Sequence, residues 1–179
     1  MHIKKIINLF FLCYSFKSVK AQFTDTLFVW GLPDVRKSNA VKIISNKWKL
    51  QRYGYGCVMD KWLEDSLTKK NEATYEKLIP KYGLGWLDKY YDEIDKEYQI
   101  EVIINDLVNQ QDYIRDLEIA NINPGSGFEM YPLGNGSNYI VFVDNWIPEQ
   151  NWKQYHVYKL QVDYKLKKVK SLKKYLNQN

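Results

Sequence analysis

Two residue types that carry much of enzyme chemistry are scarce. The 179 residues contain two cysteines and two histidines. One of each, Cys13 and His2, falls within the first 21 residues, so residues 22–179 keep only Cys57 and His156. A lone cysteine permits no intrachain disulfide and no zinc site built from cysteine pairs. A single histidine leaves no histidine-rich transition-metal site. Gly54-Tyr55-Gly56 lacks the third glycine, the following helix start and the Lys-Ser/Thr of a phosphate-cradling loop. The aspartates show no calcium-loop spacing. No cofactor is implied. Beyond residue 21 no apolar run approaches the roughly 18–20 residues that cross a bilayer, so no transmembrane span is expected.

The first 21 residues differ from the rest. A basic start with Lys4 and Lys5 leads into the apolar run Ile6 to Leu12. Ser18-Val19-Lys20-Ala21 then offers small residues at the −3 and −1 positions of a cut before Gln22. That is the layout of a cleaved secretory signal peptide, 1–21, followed by one domain over 22–179. The expected destination is the periplasm or extracellular space of a Gram-negative bacterium. Lipidation at Cys13 is the rival reading. Leu12 argues against it, because a small residue is normally wanted there.

Charge follows from the same segment. The chain carries +5, with a sequence pI near 8.9. Four of its 26 bases and none of its 21 acids fall in the first 21 residues, which leaves the remainder near +1. The basic pI therefore gives no argument for a nucleic-acid partner. Bases do gather at the end. Residues 159–179 hold seven lysines against Asp163 alone. The plain reading is a solubilising, partly frayed end. The functional alternative is weak contact with anionic envelope surfaces or an acidic partner.

Along the chain, Leu27 to Trp30 reads as a short strand stopped by Gly31-Leu32-Pro33. Asp34 caps a helix from Val35, with positions 40, 41, 44 and 48 on its apolar face. Gln51 to Met59 reads as a glycine-interrupted strand. A helix follows Asp60 and is interrupted by Pro80 and Gly83-Leu84-Gly85. A second starts at Trp86, with Trp86, Leu87, Tyr90, Ile94 and Tyr98 as its stripe. Residues 99–119 suggest a third. After residue 127 the pattern turns to β. Phe128 to Leu133 and Asn138 to Val143 flank Gly134-Asn135-Gly136-Ser137, a strong hairpin signal. Tyr139 to Val143 is apolar on both faces, as in a central strand. Asp144 to Trp152 reads as a longer loop. His156, Tyr158, Leu160, Val162 and Tyr164 then alternate as a half-buried strand, with Leu160 and Val162 toward the core. Helices first and a β meander after them predict an α+β fold, the helices packed on one face of an antiparallel sheet. Cystatin-like and nuclear-transport-factor-like folds share that layout, and no motif ties the chain to either.

Catalytic constellations are thin. Cys57 and His156 form the one nucleophile–base pair, with Asp60 or Asp144 as the orienting acid. The bland readings are a small buried cysteine and a histidine at the rim of an edge strand. Carboxylates are abundant, Glu97 and Glu101 among them, and read as solvated helix faces rather than a glycosidase pair. The compositional surplus lies in rings with a polar handle. Residues 22–179 hold six tryptophans and fourteen tyrosines against four phenylalanines. Trp146 and Trp152 flank Pro148 in the expected loop, with Tyr155 just beyond, and are the binding candidates. The rival reading folds these rings back as core. The expectation is an exported, non-catalytic binding protein whose partner is a protein or a glycan. The alternatives are a small secreted hydrolase using Cys57 and His156, or a structural envelope component.

Overall fold

The structure, a computed structural model, describes residues 25–31, 33–56, 60–119, 128–134, 136–147 and 153–175. The expected signal segment, with Cys13, lies outside them, as do Cys57 and Trp152.

The first half begins with β1 (Asp25–Trp30) and β2 (Leu50–Tyr55), which pair in parallel. The crossover between them is α1 (Ser38–Trp48), entered through a short 3-10 turn at Val35–Lys37. Asp34 starts that turn by accepting the Arg36 N–H on its carboxylate, so the predicted cap is present. Next comes α2 (Lys61–Tyr82), which runs through Pro80 rather than stopping there. A proline in the last turn removes one helical N–H while most of the helix is already formed. Gly83, at φ +86, ends the helix. Then α3 (Trp86–Asn109) continues unbroken for 24 residues, and α4 (Asp112–Ile119) follows a short break. The separate third helix expected over 99–119 is therefore the second half of α3 together with α4. The period blurred because Glu101 points inward while Val102 and Ile103 are exposed.

The second half is an antiparallel sheet in the order β3-β4-β5-β6. Its strands are β3 (Phe128–Pro132), β4 (Asn138–Ile147), β5 (Lys153–Asp163) and β6 (Lys168–Lys174). As expected, β4 is central. Two features correct the sequence reading. The stretch 144–152 is not all loop, since β4 extends to Ile147 and β5 begins at Lys153. The lysine-rich end is not frayed there, because residues 168–174 form a fourth strand on β5. Asp163 organises the turn between them, accepting the Lys165 and Leu166 N–H groups at 3.1 and 3.0 Å.

Helices α3 and α4, with Ile43 of α1, pack on one face of this sheet, and the fold is α+β. Ile104, Leu107, Val108 and Ile114 pack on Met130, Val141, Val143, Leu160 and Val162. A second core joins Leu27, Ala40, Ile44, Leu50, Leu78, Trp86, Tyr90 and Ile94. Much of the ring surplus is spent here. Trp48 stacks on Tyr82 at 4.5 Å between ring centroids, and Tyr75 lies 5.7 Å from Trp86. Helix α3 serves both cores, and Ile43 packs against each. Among the described residues, no helix is long and apolar enough to cross a membrane.

Candidate functional site

The helices cover one side of the sheet, and the register identifies the side they leave. Val141 and Met130 are paired on the core face, so Ile140, Phe142 and Asp144 of β4 point the other way. The partners of those residues share that second face: Glu129 and Tyr131 on β3, Lys159 and Gln161 on β5, and from them Lys173 and Lys170 on β6. A register shift at Val143/Asp144 brings His156 to the same face, opposite Asp144. The simple alternation would have kept His156 in phase with Tyr158. One extra residue, Val157, breaks that phase, so that Val157 and Tyr158 are both buried. β6 covers β5 only from Tyr158 to Asp163, so His156 lies beyond the last of those pairs, at the rim of the sheet.

These residues form a connected cluster. The His156 ring lies 4.5 Å from Phe142 and 5.9 Å from Tyr175, and Tyr131 meets Phe142 edge-on at 5.8 Å. Ammonium groups sit over the rings. Lys159 Nζ is 5.5 Å from the Phe142 centroid, and Lys173 Nζ is 4.3 Å from that of Tyr175. His156 Nδ1 meets Asp144 Oδ1 at 2.5 Å. The aspartate side chain is fully buried and the histidine 41% exposed, so the pair presents its imidazole to solvent. Burial, then the hydrogen bond to Glu129 and the charges of Glu129 and Asp144, push the Tyr131 phenol up to about 12. Tyr131 is therefore a neutral donor at physiological pH.

Glu97 and Glu101 are not solvated. Both face inward from α3, 9% and 5% exposed. Tyr139 donates to Glu97 Oε1 at 2.8 Å, and Asn39 Nδ2 to Glu101 Oε1 at 2.9 Å. Glu101 Oε2 and the Asn105 Oδ1 one turn on are buried with no donor among the described residues. Burial holds the Glu101 carboxyl above its ordinary value, with a smaller push from Glu97, against the opposing effect of Asn39 and the Ala40 N–H. Between the unfolded and folded pKa values the folded chain binds more protons. The cost is thus absent in acid, sets in as pH rises through the carboxylate range, and is complete above the folded pKa. Glu101→Gln keeps an acceptor for Asn39 and removes the charge. It should raise stability at neutral pH, and the gain should fade as pH falls through that range. Urea unfolding at a series of pH values checks this. A gain independent of pH would contradict it.

The residues singled out from sequence are only partly brought together. His156 and Asp144 are paired. Asp60 precedes α2 without capping it through its side chain. Trp146 and Tyr155 belong to β4 and β5, opposite Gln154 and Asn145, not to a loop. Their side chains, with Cys57 and Trp152, lie outside the described residues. The ring cluster of Tyr131, Phe142 and Tyr175 was missed. The signal for Tyr131 and Phe142 was present, since both alternate with core residues on their strands. The fold and this surface define a small α+β protein with one open sheet face. No protein-family model, no curated protein and no solved structure matches the chain.

Proposed function

We propose that the protein is an exported, non-catalytic binding module that holds an acidic glycan against the open face of its sheet. The observation that carries this reading is the register, which puts Lys159, Lys170 and Lys173 on one face with the rings of Tyr131, Phe142, His156 and Tyr175, against the carboxylates of Glu129 and the buried Asp144. Rings of this kind stack on the apolar faces of sugars, and rigid aromatics lose little entropy on contact. The lysines supply the charge that carboxylated or sulfated sugars require. Export rests on the basic and apolar start of the chain. Protein recovered from an envelope fraction should begin at Gln22.

Affinity electrophoresis against a polyuronate, with neutral dextran as control, is the test. Mobility should fall with polyuronate and not with dextran, and added salt should weaken the effect. Phe142→Ala, and separately the double change Lys159→Glu with Lys173→Glu, should each weaken binding by about tenfold or more. Single-stranded DNA retarding the protein equally would reduce the surface to a generic anion binder and remove the glycan reading.

A second reading rests on the Asp144–His156 pair, the orienting half of a hydrolase triad. It needs Cys57 as nucleophile. Under that reading Cys57→Ser abolishes a hydrolytic activity and leaves glycan retardation at the wild-type level.

A further inference from the structure

We propose that the cleft between β1, α2 and α3 binds a small organic cation bearing a quaternary or methylated ammonium group. The cleft is on the helical half of the molecule and has a volume of about 550 Å³, a size that holds a small ligand. Five aromatic residues are among its lining, Phe28, Trp30, Tyr75, Trp86 and Tyr91. Glu72 and Glu76, one turn apart on α2, line the same space. No lysine or arginine is among the described lining residues.

Each part of that composition selects the ligand. Ring faces carry negative quadrupole potential and attract a cation that is weakly hydrated, which favours a methylated ammonium over a bare one. The two carboxylates add long-range attraction and disfavour an anion. Two cations already border the cleft, Lys70 over the Phe28 ring and Arg52 5.6 Å from the Tyr91 centroid, and Glu72 and Glu76 supply the opposing charge. Trp30 is 38% exposed and Tyr91 37%, so the mouth is open. Trp86 is fully buried and forms a fixed part of the wall.

The wall is also built to stay in place. The Asn71 side chain accepts the Phe28 N–H and donates to the Phe28 carbonyl, both at 2.8 Å. Thr74 Oγ1 donates to the Thr26 carbonyl at 3.0 Å. These bonds tie the free edge of β1 to α2, so the rings on both elements are held relative to one another before any ligand arrives. Such preorganisation reduces the ordering cost of binding. At Phe28 the fold already places a cation on a ring, with Lys70 Nζ 5.5 Å from the centroid.

The site is independent of the sheet face, and its test uses a different probe. Choline is titrated into the protein and followed by calorimetry and tryptophan fluorescence, beside 3,3-dimethylbutan-1-ol, its uncharged isostere. Choline should bind saturably and about tenfold more tightly than the isostere. Trp30→Ala should weaken choline by a similar factor. Glu76→Gln, an exposed change that spares the fold, should weaken choline and leave the isostere unaffected. Phe142→Ala, on the sheet face, should change neither. Equal binding of choline and the isostere would overturn the proposal, as would absence of saturable choline binding. So would wild-type affinity in both cleft variants.

Discussion

Trp86→Ala is expected to lower the unfolding free energy by about 3–5 kcal/mol, the range for deleting a fully buried large aromatic. Trp86 has no exposed surface and starts α3. Its ring lies 5.7 Å from Tyr75 and 6.3 Å from Trp48, and its indole N–H donates to the Tyr75 carbonyl at 3.1 Å. The side chain therefore joins α1, α2 and α3 at one point. Its removal leaves a void that three helix backbones would have to move to fill. Trp62, 77% exposed on α2, is the control, and Trp62→Ala should stay within about 0.5 kcal/mol of wild type. Urea denaturation followed by far-ultraviolet circular dichroism reads both. Similar costs for the two tryptophans would mean that the helical half does not share the core described.

The second large effect is expected on β5. Leu160→Ala should cost about 2–5 kcal/mol, because Leu160 is fully buried between the sheet and α3. Gln161→Ala should cost less than about 0.5 kcal/mol. Gln161 faces the open side, and its amide makes one long bond, 3.3 Å, to Asn138. The contrast between adjacent residues follows from the alternation of a strand with one face packed. Equal costs would mean that both faces are covered, which would also remove the proposed binding surface. The same unfolding titration decides this.

Much of the fold was legible where one period dominated. Residues 138–143 announced a central strand because apolar residues filled both parities next to an Asn-Gly turn. Trp86 to Tyr98 announced a helix because its stripe was clean. What escaped the sequence has physical causes. The β5–β6 turn uses the Asp163 carboxylate and a left-handed Lys167 at φ +52 in place of glycine or proline, so nothing marked it as a hairpin. The lysines of β6 hid a strand because an edge strand can carry charge along its length. Continuity of α3 was obscured by the inward Glu97 and Glu101, whose partners Tyr139 and Asn39 come from distant elements.

The candidate surface was half legible for a related reason. His156 and Asp144 could be named as chemically interesting, but their meeting depends on a bulge that no periodicity reveals. Phe142 carried the right alternation, yet its face could be recognised as open only once α3 and α4 were known to occupy the other. Tyr175 follows a strand that was not foreseen, so its ring beside His156 had no sequence signal at all.

The proposal that the sheet face is the binding surface is tested most directly by mapping amide chemical shifts during titration with a uronate oligosaccharide. Perturbations should concentrate at Tyr131, Phe142, His156, Lys159, Gln161 and Lys173. Residues of α2 and the first half of α3, which pack in the second core, should stay unperturbed. Shifts gathered on the helices, or none across β3 to β6 at saturating ligand, would contradict it.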